Sequence, residues 1–114
     1  MKKIKHILGI NAHWTINKQL SKTIGLYETI LLQHLIDLQE SFFEDGGFYQ
    51  QDDRLLKDLP FSIHHIKQAR SVLKEKELIT VKSKGLPAKN HYTVNVDKVL
   101  ELIGLKYIDN NEDN

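Results

Sequence analysis

The sequence predicts an α+β fold, mainly α, with a small antiparallel sheet. Three observations predict it. From Leu26 to Phe42, apolar residues recur at three- and four-residue steps, the period of a helix buried along one face. Between residues 52 and 77, two shorter helical patterns meet at a tight break, Leu59-Pro60-Phe61. Two β-rich runs follow, Leu78 to Lys82 and His91 to Val96, joined by a basic tip that carries Gly85 and Pro87.

Taken in order, Met1 to His6 is basic, as at the start of a signal peptide. The apolar stretch behind it, Ile7-Leu8-Gly9-Ile10, is too short for a signal core. Ile10 to Ile16 reads as a short strand of imperfect alternation. Asn17 can cap a first helix, Lys18 to Ile24, which Gly25 would end. The long helix places Leu26, Ile30, Leu31, Leu35, Leu38 and Phe42 on one stripe, widened by Tyr27, Leu32 and Ile36. It reads as the core scaffold, with no cofactor implied. Glu44-Asp45-Gly46-Gly47 reads as a turn, since the alternating oxygen ligands of a calcium loop are absent. Phe48 to Gln50 reads as a short strand. Asp52 and Asp53 open the next helix, where negative charge suits the macrodipole, and Leu55, Leu56 and Leu59 form its buried face.

Pro60 fixes the break. Ser62 is a good N-cap, and Phe61 before it can staple onto Ile66. From there Ile63, Ile66, Ala69 and Leu73 make an inner face, with Val72 beside it. His64, His65, Lys67, Gln68 and Ser71 occupy much of the rest, a polar to basic surface that suits base edges and phosphates. The plain alternative is a solvated amphipathic helix. The hairpin places Lys82, Lys84, Lys89 and His91 around its tip, Ser83 to Asn90. Lysines there can reach phosphates, or merely protect an edge strand. Asp97 is expected to cap a last helix, Lys98 to Ile103, ended by Gly104. Helix, turn, helix and hairpin is the order of a winged helix-turn-helix, which sets one helix in a DNA major groove. Residues 1–104 thus read as one winged-helix domain with an N-terminal extension. Residues 105–114 read as a C-terminal tail, apolar at Leu105, Tyr107 and Ile108 and polar from Asp109 to Asn114, expected to be disordered toward its end.

The charge distribution agrees. The whole chain is +1, yet residues 1–53 carry −2, 54–98 carry +6 and 99–114 carry −3. A polyanion would meet the local field of the middle segment. The chain has no cysteine, which excludes disulfides and thiolate chemistry. Adjacent His64 and His65 point about 100° apart on a helix and do not share an ion easily. His6, His13, His34 and His91 show no ligand spacing, and no phosphate-cradling loop or nucleophile elbow is present. No metal, cofactor, small-molecule substrate or enzymatic activity is expected, and no membrane span. The absence of cysteine is compatible with the cytoplasm.

The runs Gly47-Phe48-Tyr49, Leu55 to Ser62, Ile66 to Arg70, Leu73 to Ile79 and Lys89 to Asn95 resemble the winged helix-turn-helix domains of phage and Gram-positive replication proteins. These include DnaD-type replisome organisers and phage replication initiators. Ile16 to Gln33 is similar to the helix pair that precedes their winged helix, so the resemblance covers about 16–103. Two positions depart from the family. Glu77 stands where the family often has glycine, which implies a tighter helix end or one extended by a turn. Arg70 stands where the family is usually apolar, and it is expected to snorkel outward as a phosphate contact. Larger members carry a second domain that binds DNA or loads helicase; nothing similar is found here, so helicase recruitment is not carried over.

The expected function is double-stranded DNA binding without chemistry, in phage- or plasmid-type replication initiation or in transcription regulation. His64, His65 and Gln68 are candidates near base edges. Lys67, Arg70, Lys82, Lys84 and Lys89 are candidates for phosphates, and Ser71 completes the DNA-binding set. Histidine protonation below about pH 6.5 is expected to strengthen binding. The resemblance also implies a rival, a homodimer or replication-protein interaction module. Trp14, Ile10 to Ile16 and Leu105 to Ile108 would then form the surface.

Overall fold

The computed structural model describes residues 15–42 and 48–104. Its elements are α1 (Lys18–Ile24), α2 (Leu26–Phe42), β1 (Phe48–Tyr49), α3 (Asp52–Asp58), α4 (Ile63–Glu75), β2 (Ile79–Lys84), β3 (Lys89–Val94) and α5 (Val96–Leu102). The fold is α+β, mainly helical, with a three-stranded antiparallel sheet ordered β1-β3-β2. Helix, turn, helix and hairpin run from α3 through β3, as the sequence predicts. The expectations placed on 1–14, 43–47 and 105–114 lie outside the described residues; among them are the Glu44 to Gly47 turn, the Trp14 and Leu105 to Ile108 surface and the tail. Thr15 and Ile16, the described end of the expected first strand, are not in a strand, and Ile16 packs against the core instead.

Caps and glutamines set the helical frame. Asn17 Oδ1 accepts the Leu20 N–H at 2.8 Å and begins α1. Gln33 on α2 ties down the same end, accepting the Asn17 N–H at 3.1 Å and donating to the Thr15 carbonyl at 2.6 Å. Farther along α2, Gln39 Oε1 accepts the Val94 N–H at 2.7 Å, which fastens the central strand to the helix. Leu31, Leu32 and Leu35 of α2 are fully buried, with Leu55, Ile66, Ala69, Leu73, Leu78 and Tyr92 against them in one core. The scaffold role expected of α2 is therefore met.

Four expected core residues, Leu26, Tyr27, Leu56 and Ile63, are exposed instead. Leu26 and Tyr27 open α2 at the rim of the core, where the Tyr27 ring rests on Phe61 and His65. Leu56 lies about 100° around α3 from Leu55, so Leu55 and Leu59 turn inward and Leu56 outward. Ile63 is the first residue of α4 and stays at its rim. The last helix also starts earlier than expected. Asn95, not Asp97, is its cap, its Oδ1 accepting the Lys98 N–H at 3.2 Å, and Asp97 sits in the first turn.

Glu77 neither tightens α4 nor lengthens it. The helix ends with the Leu78 N–H donating to the Leu73 carbonyl at 2.9 Å and the Glu77 N–H to the Lys74 carbonyl at 3.0 Å. That pair of bonds is the Schellman arrangement, and it puts Glu77 at φ 61°, in the left-handed region. Leu78 and Leu73, the apolar pair that accompanies this ending, are both fully buried. A side chain at such a φ costs about 1–2 kcal/mol. Glycine there also gives back about 0.4–1 kcal/mol in unfolded-chain entropy. Glu77→Gly is therefore expected to raise stability by about 0.5–1 kcal/mol. A urea titration checks this as a higher midpoint at unchanged slope.

Candidate nucleic-acid interface

Helix α4 opens as its sequence requires. Ser62 Oγ accepts the His65 N–H at 3.2 Å, and Phe61 and Ile66 on either side are both in the core. Ile66, Ala69 and Leu73 are fully buried against α2 and α3. Their spacing leaves His64, Lys67, Gln68 and Ser71 exposed. From 64 to 71 the helix carries no acid. This outer surface is what the sequence singled out for base edges and phosphates.

Two candidates sit differently. His65 is half-buried, its ring stacked on Tyr27 with centroids 4.3 Å apart, and its Nδ1 lies 3.0 Å from Ser62 Oγ. It helps close the helix start rather than standing out beside His64. Arg70 does not snorkel outward. Its Nη1 donates to Asp52 Oδ1 at 2.6 Å and to the Tyr92 hydroxyl at 2.9 Å, and its Nη2 donates to Asp52 Oδ2 at 3.2 Å. The side chain is only 14% exposed. The guanidinium joins α3, α4 and β3, and as a phosphate contact it is withdrawn. An aspartate at the start of α3 and a tyrosine pointing in from β3 offer it a better-satisfied place than solvent.

The Asp52 carboxylate raises the Arg70 pKa, against the opposing effect of burial. Burial raises the Tyr92 hydroxyl above its ordinary value near 10, and the Arg70 hydrogen bond opposes that rise. A folded-state pKa above the unfolded one means that the folded protein holds the Tyr92 proton more tightly. That stability is full below about pH 10 and is lost as pH rises through the folded value. Unfolding free energy is thus expected to fall above about pH 10, with a smaller fall in Tyr92→Phe. Denaturant titrations from pH 8 to 11 check it.

The hairpin is longer than the sequence suggests. Its strands run to Lys84 and resume at Lys89, so these lysines lie within the ladder rather than in the tip loop. The register pairs Lys84 with Lys89 and Lys82 with His91, all on the face opposite buried Ile79, Tyr92 and Val94. Like charges set directly across a strand pair repel. Strand β1 adds to this surface, because Tyr49 pairs with His91 while Phe48 turns inward against Tyr92. Lys89 Nζ stands 4.5 Å from the Tyr49 ring centroid. Sequence reasoning missed Tyr49. The in-out alternation of Phe48 and Tyr49 was readable, but their alignment with a strand some forty residues later was not.

Among the described residues, no three His, Asp or Glu side chains converge to hold a metal, and no helix is long and apolar enough to cross a membrane. His34 Nε2 lies 3.5 Å from Asp58 Oδ2, which Arg54 also approaches at 3.7 Å. The histidine is a flank of the core helix, beside a carboxylate that two basic groups share. Set against protein-family models, curated proteins and solved structures, the chain matches none of them.

Proposed function

We propose that this domain binds double-stranded DNA without chemistry. Helix α4 enters the major groove and the β2–β3 hairpin lies along the backbone. His64 and Gln68 face base edges, with Ser71 beside them, and Lys67, Lys82, Lys84 and Lys89 face phosphates. The observation that carries the reading is the pairing of Lys84 with Lys89 at the end of an exposed hairpin. Repulsion between them costs folding energy that a phosphate backbone would offset. The basic, acid-free outer face of α4 supplies the second half of the footprint. The cellular setting we propose is cytoplasmic, in replication initiation of the phage or plasmid kind or in transcription regulation.

Fluorescence anisotropy with a mixed-sequence duplex across a salt series tests this. The Lys67→Ala/Lys84→Ala/Lys89→Ala variant runs alongside, its folding checked by circular dichroism. Affinity is expected to fall steeply with salt. Loss of three phosphate contacts would make the log–log slope shallower by about 2.7 in the variant. No duplex binding at low salt sinks the reading, and the self-association or replication-partner module then takes its place.

A further inference from the structure

We propose that the open face of the sheet is a second nucleic-acid site, one that takes an unpaired strand with Tyr49 as its stacking platform. Every buried residue of the sheet, Phe48, Ile79, Tyr92 and Val94 among them, is on the inner face. The outer face gathers Tyr49, His91, Lys82, Lys84 and Lys89 from three strands. Tyr49 is 49% exposed, so its ring is open to a ligand. The His91 ring lies beside it, centroids 5.6 Å apart, and Lys89 sits over it.

Two clefts meet at this ring. One, of about 660 Å³, is walled by Gln50, Gln51 and Arg54. The other, of about 350 Å³, is walled by Lys84, Leu86 and His91. Tyr49 and Lys89 line both. Tyr49 and Lys89 form the wall that the two clefts share, so a trough running through both would cross the aromatic ring with a cation on each side of it, Arg54 and Lys84. Both volumes fall within the range of about 300–1,000 Å³ typical of small-ligand sites. Asp58 borders the larger cleft, where Arg54 and His34 flank its carboxylate.

The chemistry selects the occupant. A cationic trough attracts a polyanion. In a duplex the base faces are stacked on one another and cannot use an exposed tyrosine. An unpaired base can, and any base will do because each has a π-face. The Gln50 and Gln51 amides at the rim can meet base edges. A strand lying in the trough would put a base on Tyr49 while Lys89 and Lys84 take the adjoining phosphates. This site shares Lys84 and Lys89 with the duplex reading, but only an unpaired base uses the face of the Tyr49 ring.

The test is anisotropy with fluorescein-labelled twelve-nucleotide oligo-dT and oligo-rU, beside the same duplex as above. The proteins are wild type, Tyr49→Ala, Tyr49→Phe and His91→Ala, each with its melting curve. Tyr49→Ala is expected to weaken oligonucleotide binding about tenfold, the loss of one base stack, while Tyr49→Phe keeps it within about twofold. His91→Ala is expected to weaken it less, and it carries the test should Tyr49→Ala not fold. Duplex affinity is expected to fall far less in Tyr49→Ala than oligonucleotide affinity, because a duplex offers the ring no unpaired base and loses at most the support that Tyr49 gives Lys89. Tyr49-dependent binding of either oligonucleotide supports the proposal. If wild type binds neither, or a folded Tyr49→Ala binds like wild type, the proposal is overturned. Oligonucleotide binding without duplex binding would remove the duplex reading and leave this one standing.

Discussion

Asp52→Ala is expected to cost about 3 kcal/mol of stability, the low end for removing one partner of a buried ion pair. The side chains of Arg70 and Asp52 are 14% and 27% exposed, so the site is mostly but not wholly dry. Without Asp52 the guanidinium keeps, among the described residues, only the Tyr92 hydroxyl at 2.9 Å and carries an uncompensated charge. The attraction of the pair is not the main issue; the unpaired charge is. It follows that Asp52→Ala/Arg70→Met should be more stable than Asp52→Ala alone, because the methionine fills much of the space without a charge. Urea titrations of the two single variants and the double give the coupling directly. A loss below about 1 kcal/mol for Asp52→Ala would mean that the pair behaves like a surface one. Arg70 would then be free to turn outward, and its removal should flatten the salt dependence of DNA binding. With the pair intact, that slope should not depend on Arg70.

Arg70 also shows where sequence reasoning stops. Ile66, Ala69 and Leu73 repeat at helical steps, so the inner face of α4 was legible, and so were the Ser62 cap and the hairpin that follows. Position 70 lies at the edge of that face, where periodicity permits a long cation to go either way. Its direction is decided by Asp52 and Tyr92, 18 and 22 residues away, and no local pattern encodes that meeting. Tyr49 fails for the same reason: its neighbours His91 and Lys89 come from strand register. By contrast His64, Lys67, Gln68 and Ser71 were legible because exposure on a helix follows from local spacing alone. Leu56 departs from the expectation because adjacent leucines point about 100° apart on a helix, and Leu55 and Leu59 occupy the inner face.

Gly25→Ala is expected to be the other severe substitution, at about 2–3 kcal/mol, the upper part of the range for backbone held where only glycine is comfortable. Gly25 has φ 110° and ψ 157°. It ends α1, donating its N–H to the Ser21 carbonyl at 2.9 Å. It also begins α2, its carbonyl accepting the Thr29 N–H at 3.0 Å and the Thr29 hydroxyl at 2.7 Å. One residue therefore joins two helices, and moving its φ would pull both sets of bonds apart. Thr29 is fully buried, so a lost bond there leaves a hydroxyl in the core. A methyl group at Gly25 would also run into the Glu28 carboxylate. That clash is separable from the backbone term, because a glutamate side chain can swing away. Gly25→Ala/Glu28→Ala removes the clash and leaves φ as it is. If the backbone dominates, the double variant keeps most of the loss measured for Gly25→Ala in thermal or urea unfolding. Near-complete recovery would mean that α1 and α2 tolerate a different angle at their junction, and that the side-chain clash alone made alanine costly.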